Sequence, residues 1–188
     1  MSGPTERHAS DATPSRWVAR FAPLVARGGR VLDVASGRGR HALFFASRGC
    51  RVVAVDRDAS ALAALEHVAG VCPVVADLES AAWPAHLGSF DAIVVTNYLH
   101  RPLFSAMLAS LADDGVLIYE TFARGNEGYG KPANPDFLLA RDELLERLGE
   151  ALVVVAFEQG LQEGERPCVI QRIAAVGAAR TWPPQLPC

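Results

Sequence analysis

Lysine is nearly absent from this chain: Lys131 stands alone among 18 basic residues, and the others are all arginine. Long apolar runs are absent too. The longest stretch without Asp, Glu, Lys or Arg is about 11 residues, whereas a membrane-spanning helix needs roughly 20 apolar residues, so no such span is expected. The first fifteen residues are polar and contain proline, with no apolar core, which argues against a secretory signal there. Cysteine is sparse and unpatterned. Cys50, Cys72, Cys168 and Cys188 form no CxxC pair, so neither a zinc framework nor a disulfide scaffold is expected, and a reducing cytoplasm is the expected compartment. There is no cationic excess. The formal net charge is −3, which disfavours a nucleic-acid binder that works by neutralising many phosphates. Repeats of roughly 20–50 residues are also missing. What remains is 188 residues, half of them hydrophobic and 21% charged, the composition of one globular domain, two at most.

The punctuation of the chain is regular. Gly28-Gly29 precedes the apolar run 31–35, read as a buried strand. Residues 36–39 form a glycine-rich turn, and 41–47 a helix with Leu43, Phe44 and Phe45 on its apolar face, stopped at Gly49. A second strand, 52–55, ends at Asp56, and Asp58 is placed to cap a helix reaching about Val68. Pro73 removes a ladder donor from the third strand, 71–76, and predicts an edge position for it. A loop and short helix broken by Pro84 lead to a fourth strand at 90–96. A helix then runs from Pro102 to 113–115, and a fifth strand covers 116–121. Residues 123–140 are long and irregular, with Gly125, Gly128, Gly130, Pro132 and Pro135. A short helix at 141–148 and strands at 151–157 and 169–176 follow, and 181–188 reads as a loose proline-rich tail. Continuous apolar strands alternating with helices predict an α/β fold, an open and mostly parallel sheet covered on both faces. In such sheets the ligand sits outside the carboxyl ends of the strands, at the switch point of the strand order.

The residues just after each strand are therefore the informative ones. Gly37 and Gly39 permit a tight turn and close approach of a ligand, and the helix that follows offers unpaired amides. Asp56, 19 positions after Gly37, suits a ribose diol because a carboxylate accepts from two hydroxyls at once. The third strand ends in Asp77-Leu78 and the fourth in Asn97-Tyr98. Residues 37–42 match the dinucleotide fingerprint G-x-G-x-x-G/A. Asp33 argues against a dinucleotide, since it brings a carboxylate toward the place of a pyrophosphate and suits a ligand with a cationic end instead.

The segment Val31-Leu32-Asp33-Val34-Ala35-Ser36-Gly37-Arg38-Gly39 resembles the first motif of class I S-adenosylmethionine-dependent methyltransferases, with alanine at 35 where the usual pattern has glycine. Residues 90–97 resemble the fourth-strand motif of that family. Residues 111–118 resemble its L-x-x-G-G-x-L turn, with Asp114 at one glycine position. The resemblance covers about residues 17–176. It is closest to small bacterial methyltransferases of the tellurite-resistance type, on size and on the segment 120–139. It implies a Rossmann-like three-layer sandwich whose mostly parallel seven-stranded sheet has an antiparallel strand near the C-terminus. The implied methyltransferase domain is 16–180, between a flexible segment at 1–15 and the tail at 181–188. The implied cofactor is S-adenosyl-L-methionine, held by Asp33, Ala35, Gly37, Arg38, Gly39, Asp56 with Arg57 beside it, Asp77, Leu78 and Asn97, with Trp17 roofing the pocket.

Methyl transfer is an in-line displacement from a sulfonium carbon with a neutral leaving group, so catalysis is mostly proximity and orientation. A base is required only for an acceptor that arrives protonated, and none is assigned. The acceptor is expected beside the fourth and fifth strand ends, near Tyr98, His100, Arg124 and Tyr129, with Arg101 and Glu120 also in reach. The stretch 123–140 is a candidate lid. Residues 96–99 lack the Pro-Pro-aromatic motif of enzymes that methylate exocyclic or amide nitrogens. Cys72-Pro73 is not the Pro-Cys of cytosine-C5 enzymes; Cys72 is expected in the core. A small-molecule acceptor is thus favoured over nucleic acid, with the chain a monomer or homodimer. His41 is expected on a helix surface. Two alternatives stay open: an NAD(P)-binding oxidoreductase, and a non-catalytic module that kept the cofactor site.

Overall fold

The computed structural model describes residues 13–186 apart from 81, 82 and 150. Most of the segment expected to be flexible (1–12) and the end of the expected tail (187–188) lie outside the described residues.

Seven strands form one sheet: β1 (Arg30–Val34), β2 (Arg51–Asp56), β3 (Val71–Val75), β4 (Phe90–Thr96), β5 (Leu111–Phe122), β6 (Leu152–Gln162) and β7 (Cys168–Gly177). Their order is β3-β2-β1-β4-β5-β7-β6. Strands β1 to β5 pair in parallel, and β7 runs antiparallel to both its neighbours. The chain builds outward from β1 to β3, then returns to lay β4 on the other flank of β1. The β1/β4 boundary is the switch point, where a crevice opens at the carboxyl ends.

Side chains alternate between the two faces of each strand. Leu32, Val34, Val53, Val55, Ile93, Val95, Leu117 and Tyr119 pack on one face with Phe104 and Met107 of α4 (Phe104–Ala109) and Leu144 and Leu148 of α5 (Glu143–Leu148). Val31, Val52, Ala54, Val94, Val116 and Ile118 pack on the other. Their partners there are Trp17 and Phe21 of α1 (Arg16–Phe21), Phe45 of α2 (Arg40–Ser47) and Leu62 of α3 (Ala59–Leu62). Burial on both faces is why the central strands read as unbroken apolar runs. Among the described residues no helix is long and apolar enough to cross a membrane.

Several elements differ from expectation. Asp58 caps α3 as expected, accepting from Ser60 N at 2.9 Å and Ala61 N at 3.2 Å, but the helix stops at Leu62 and tightens into a 3₁₀ turn over Ala63–Leu65. α4 ends at Ala109, not at 113–115, because β5 starts at Leu111. Phe90 pairs with Leu111, and the register then shifts so that Ala92 meets Val116. The intervening residues are a bulge. Gly177 accommodates it, since a Cβ there would run into the Asp113 carbonyl. β3 is the edge strand that Pro73 predicted, and that edge leaves Cys72 exposed and not in the core.

Candidate functional site

The turn after β1 is built by backbone. Ser36 N donates to Val55 O at 3.0 Å and Gly39 N to Ser36 O at 2.9 Å. Gly37 N donates to Asp56 Oδ2 at 2.7 Å, and Asp58 N to Asp56 Oδ1 at 2.9 Å. Each Asp56 oxygen is thus oriented by one N–H and keeps lone-pair capacity for a ligand. The two motif glycines do different work. Gly37, at φ +54°, has open space where a Cβ would stand, whereas a Cβ at Gly39 would lie 2.5 Å from Leu65 Cδ1. Gly37 leaves room for a ligand; Gly39 lets α2 seat against Leu65.

Ala35 and Asn97, at the ends of β1 and β4, both take left-handed backbone, with φ 52° and 54°. Asparagine tolerates this conformation, but alanine does not. The strain on Ala35 is roughly 1–2 kcal/mol, against roughly 0.5–1 kcal/mol for glycine's greater chain entropy. Ala35→Gly is therefore expected to stabilise by about 0.5–1 kcal/mol and raise Tm by about 1–4 °C. A lower Tm by calorimetry would show that contacts of the alanine methyl outweigh the strain.

A crevice opens here, lined by Ala35, Asp56, Arg57, Asp77 and Leu78 together with Ala76, Glu79 and Tyr98. Five residues expected around a cofactor are thus brought together. Tyr98, expected at the acceptor, stands on this wall instead. Its hydroxyl and that of Ser36 are buried without a hydrogen-bond partner among the described residues. Burial, reinforced by the nearby Glu79 and Asp77 charges, pushes the Tyr98 hydroxyl up to about 12. Arg38 and Asn97 are exposed beside the turn.

Two expected cofactor residues are placed elsewhere. Asp33 is 1% exposed and accepts from Ala42 N at 2.9 Å, clamping the first turn of α2 to β1 rather than lining the crevice. Burial drives its carboxyl up to about 7, against the opposing pull of the Ala42 bond and of Arg40. Trp17 is a core residue, 2% exposed. Its indole donates to Ile173 O at 3.2 Å, and Arg172 lies over its ring at 4.8 Å.

His41 was missed, since nothing in its helix pattern marked it as buried. It is 2% exposed. Nε2 accepts from Ser15 N at 3.1 Å, and Nδ1 faces Thr96 Oγ1 at 3.4 Å. The accepting role of Nε2 assigns the ring proton to Nδ1. Burial, with help from Arg40, lowers its pKa to about 3, so the ring is neutral. Ser15 also donates to Glu120 Oε1 at 2.7 Å and caps α1, and Arg172 donates to Glu120 Oε2 at 3.1 Å. Ser15 is therefore pinned, although it falls in the segment expected to be flexible, and both Glu120 oxygens are engaged.

On the acceptor side, His100 lines a second, apolar cavity behind Tyr98. Arg101 is not free to meet a substrate: it grips Glu143 with two bonds of 2.8 Å and donates to the carbonyls of Asp136 and Leu138. The stretch 123–140 is anchored at both ends. Asn126 is buried, donating to Pro132 O at 3.0 Å and accepting from Val169 N at 3.1 Å. Ala123 bridges Leu139, and Leu138 and Leu139 are buried. Arg124 and Tyr129 remain exposed on it.

Residues 31–115 match the model of a methyltransferase domain. No curated protein sequence gives a significant match. Among solved structures, TehB from Haemophilus influenzae superposes with a TM-score of 0.72 at 18% identity, over 85% of this chain and 61% of that one. The chain thus spans less than two thirds of that protein. A TehB-like S-adenosylmethionine-dependent methyltransferase from Corynebacterium glutamicum matches at 0.66 and 18% identity, over 92% and 94% of the two chains. Coclaurine N-methyltransferase, solved with N-methylheliamine and S-adenosylhomocysteine, matches at 0.63 and 14% identity, over 84% and 72%. At these identities the likeness is one of fold. The fold is that of the S-adenosylmethionine-dependent methyltransferases, and residues 31–115 carry the methyltransferase-domain match.

Proposed function

We propose that this chain transfers the methyl group of S-adenosylmethionine to a small-molecule acceptor. The observation that carries the reading is Asp56, a carboxylate oriented by two backbone N–H groups and lining the crevice at the strand ends. The residues present fit the cofactor. Asp56 suits the ribose hydroxyls, Ala76 and Leu78 an apolar base face, and Asp77 an exocyclic amine. The unpartnered hydroxyls of Ser36 and Tyr98 are buried polar atoms of the kind a bound ligand satisfies. Bound there, S-adenosylmethionine supplies a methyl group on a cationic sulfur that leaves as a neutral thioether.

The residues themselves bind and orient, an effect worth roughly 7–11 kcal/mol of barrier when the alignment is good. No proton acceptor is assigned: His41 and Glu120 are each committed to neighbours, whereas His100 lines the cavity behind Tyr98. The net charge of −3 favours a small molecule over nucleic acid, and the cytoplasm is the proposed setting. A dinucleotide fits less well: three carboxylates, Asp56, Asp77 and Glu79, outnumber the one cation, Arg57, on the crevice lining, which disfavours a pyrophosphate.

Isothermal titration with S-adenosylhomocysteine, and with NAD and NADP in parallel, tests this reading; binding of a dinucleotide alone overturns it. Asp56→Ala is expected to weaken S-adenosylhomocysteine binding by about 10- to 100-fold, the value of a charge-assisted hydrogen bond of roughly 1.5–3 kcal/mol. Unchanged affinity would remove Asp56 from the site.

A further inference from the structure

We propose that the amino-terminal lip of the sheet binds a small organic phosphate, a phosphate monoester on an apolar body, held between Arg30 and Arg51. The site is separate from the strand-end crevice and does not rest on the cofactor reading. Arg30 opens β1 and Arg51 opens β2, and the two are Cα partners in the parallel ladder. Neighbouring strands lie roughly 4.8 Å apart. Leu32 and Val53, two residues further along each strand, pack on one face of the sheet, so Arg30 and Arg51 project from that same face. Like charges side by side on adjacent strands repel and destabilise the pair. Among the described residues neither guanidinium has a carboxylate within ion-pair distance. Asp91 is engaged by the Arg30 main-chain N–H, at 2.6 Å.

Both side chains are oriented by main-chain carbonyls. Arg30 Nη1 donates to Ser89 O at 3.0 Å, and its guanidinium lies 4.7 Å from the centre of the Phe90 ring. Arg51 Nε donates to Gly28 O at 3.3 Å. A guanidinium carries five N–H donors, so each keeps donors for the oxygens of a phosphate, a geometry that arginine matches well. Arg30, Arg51, Val53, Val71, Cys72 and Leu87 all line one open groove of about 400 Å³, and no acidic residue lines it. That volume lies within the range of roughly 300–1,000 Å³ for small-molecule sites. The paired cations select an anion, and the apolar side chains beside them select an organic ester over free phosphate. Arg51 and Asp56 are the two ends of β2, roughly 16 Å apart. The groove and the strand-end crevice therefore lie at opposite ends of the sheet.

The test is calorimetric titration with phenyl phosphate and with inorganic phosphate, for wild type, Arg30→Gln, Arg51→Gln and the double variant. Wild type is expected to bind phenyl phosphate at least about fivefold more tightly than either single variant, the value of one charged contact at an open site. The double variant is expected not to bind it. Inorganic phosphate is expected to bind wild type at least about fivefold more weakly than the phenyl ester, because it buries no apolar group. Bound phenyl phosphate is also expected to slow alkylation of the exposed Cys72 by iodoacetamide. Arg51 is exposed, so Arg51→Gln relieves repulsion without disturbing the core, and the test does not depend on Arg30→Gln folding. A wild type that does not bind phenyl phosphate overturns the inference, as does a double variant that binds it equally well. Equal affinity for inorganic phosphate overturns the organic ligand class. Loss of binding in Arg57→Gln, or an unprotected Cys72, would place the phosphate in the strand-end crevice and overturn the groove. The cofactor reading stands or falls separately, by its own titration.

Discussion

Replacing Glu143 with alanine is expected to destabilise the fold by about 3–5 kcal/mol, the usual result of removing one partner from a buried ion cluster. The Glu143 side chain is 8% exposed. One oxygen accepts from Arg101 Nε at 2.8 Å and Arg147 Nε at 2.6 Å; the other accepts from Arg101 Nη2 and Ala140 N, both at 2.8 Å. Arg101 extends the cluster to the carbonyls of Asp136 and Leu138. A single carboxylate therefore ties the turn before α4, the end of the 123–140 stretch and the first turn of α5. Its loss strands two guanidiniums and a backbone N–H. For a chain of this size the fall in Tm is about 6–20 °C, read by calorimetry; a fall under about 2 °C would show that water replaces the carboxylate at little cost. The acid limb has a defined sign. Burial pushes the Glu143 carboxyl up, but its bonds to Arg101, Ala140 and Arg147 outweigh burial and hold it down to about 2, from 4.5. A lowered carboxyl pKa stabilises above the unfolded value, and that contribution is lost as pH falls from 4.5 toward 2. Wild type is expected to lose this increment over that window, and the alanine variant to lack it.

The second large effect is Asp33→Asn, whose benefit is expected to grow with pH. Asp33 is buried beneath α2, and its carboxyl rises from 3.8 to about 7. The protonated form is favoured by the fold. Its stabilising contribution is complete below 3.8 and is lost as pH rises through about 7. His41 works in the opposite direction. Its pKa falls from 6.5 to about 3, so the fold gains stability as pH rises between those values. The two slopes oppose each other over most of one window and leave wild type nearly level there. The asparagine variant needs no acid at this position, because its amide oxygen still accepts from Ala42 N. Between about pH 4 and about pH 8 the stability difference between variant and wild type is expected to shift by about 4 kcal/mol in favour of the variant, at about 1.36 kcal/mol per unit of pKa. Urea unfolding at a series of pH values measures it. A difference that stays constant with pH would mean that Asp33 ionises as readily in the fold as outside it.

Much of the architecture was legible because its causes are local. Runs of β-branched and apolar residues marked all seven strands, Pro73 marked the edge, and Asp58 marked a cap. Where the reading failed, the deciding contact came from far along the chain. The 113–115 segment resembles a helix terminus, yet it bulges within β5 because Leu111 pairs with Phe90 and Gly177 leaves room for it. α3 ends early, and Leu65 packs against Gly39 instead of continuing the helix.

The same division runs through the site. By itself the sequence determined the fold class and the positions where a ligand meets the sheet, because strand ends follow from periodicity and the crevice follows from parallel topology. Asp56, Asp77 and Leu78 were found that way and line one crevice. Only the tertiary structure decided which polar side chains remain free to act there. Asp33 and Arg101 stand where the motif and the loop place them, yet Ala42, Glu143 and two carbonyls consume their bonding. His41 is buried by Ser15, 26 residues away in the chain, and Trp17 by Ile173, 156 residues away. The physical reason is that a buried polar atom must find a partner. Sequence spacing shows which atoms sit near a site, whereas their partners are supplied by strands and helices that only folding brings alongside.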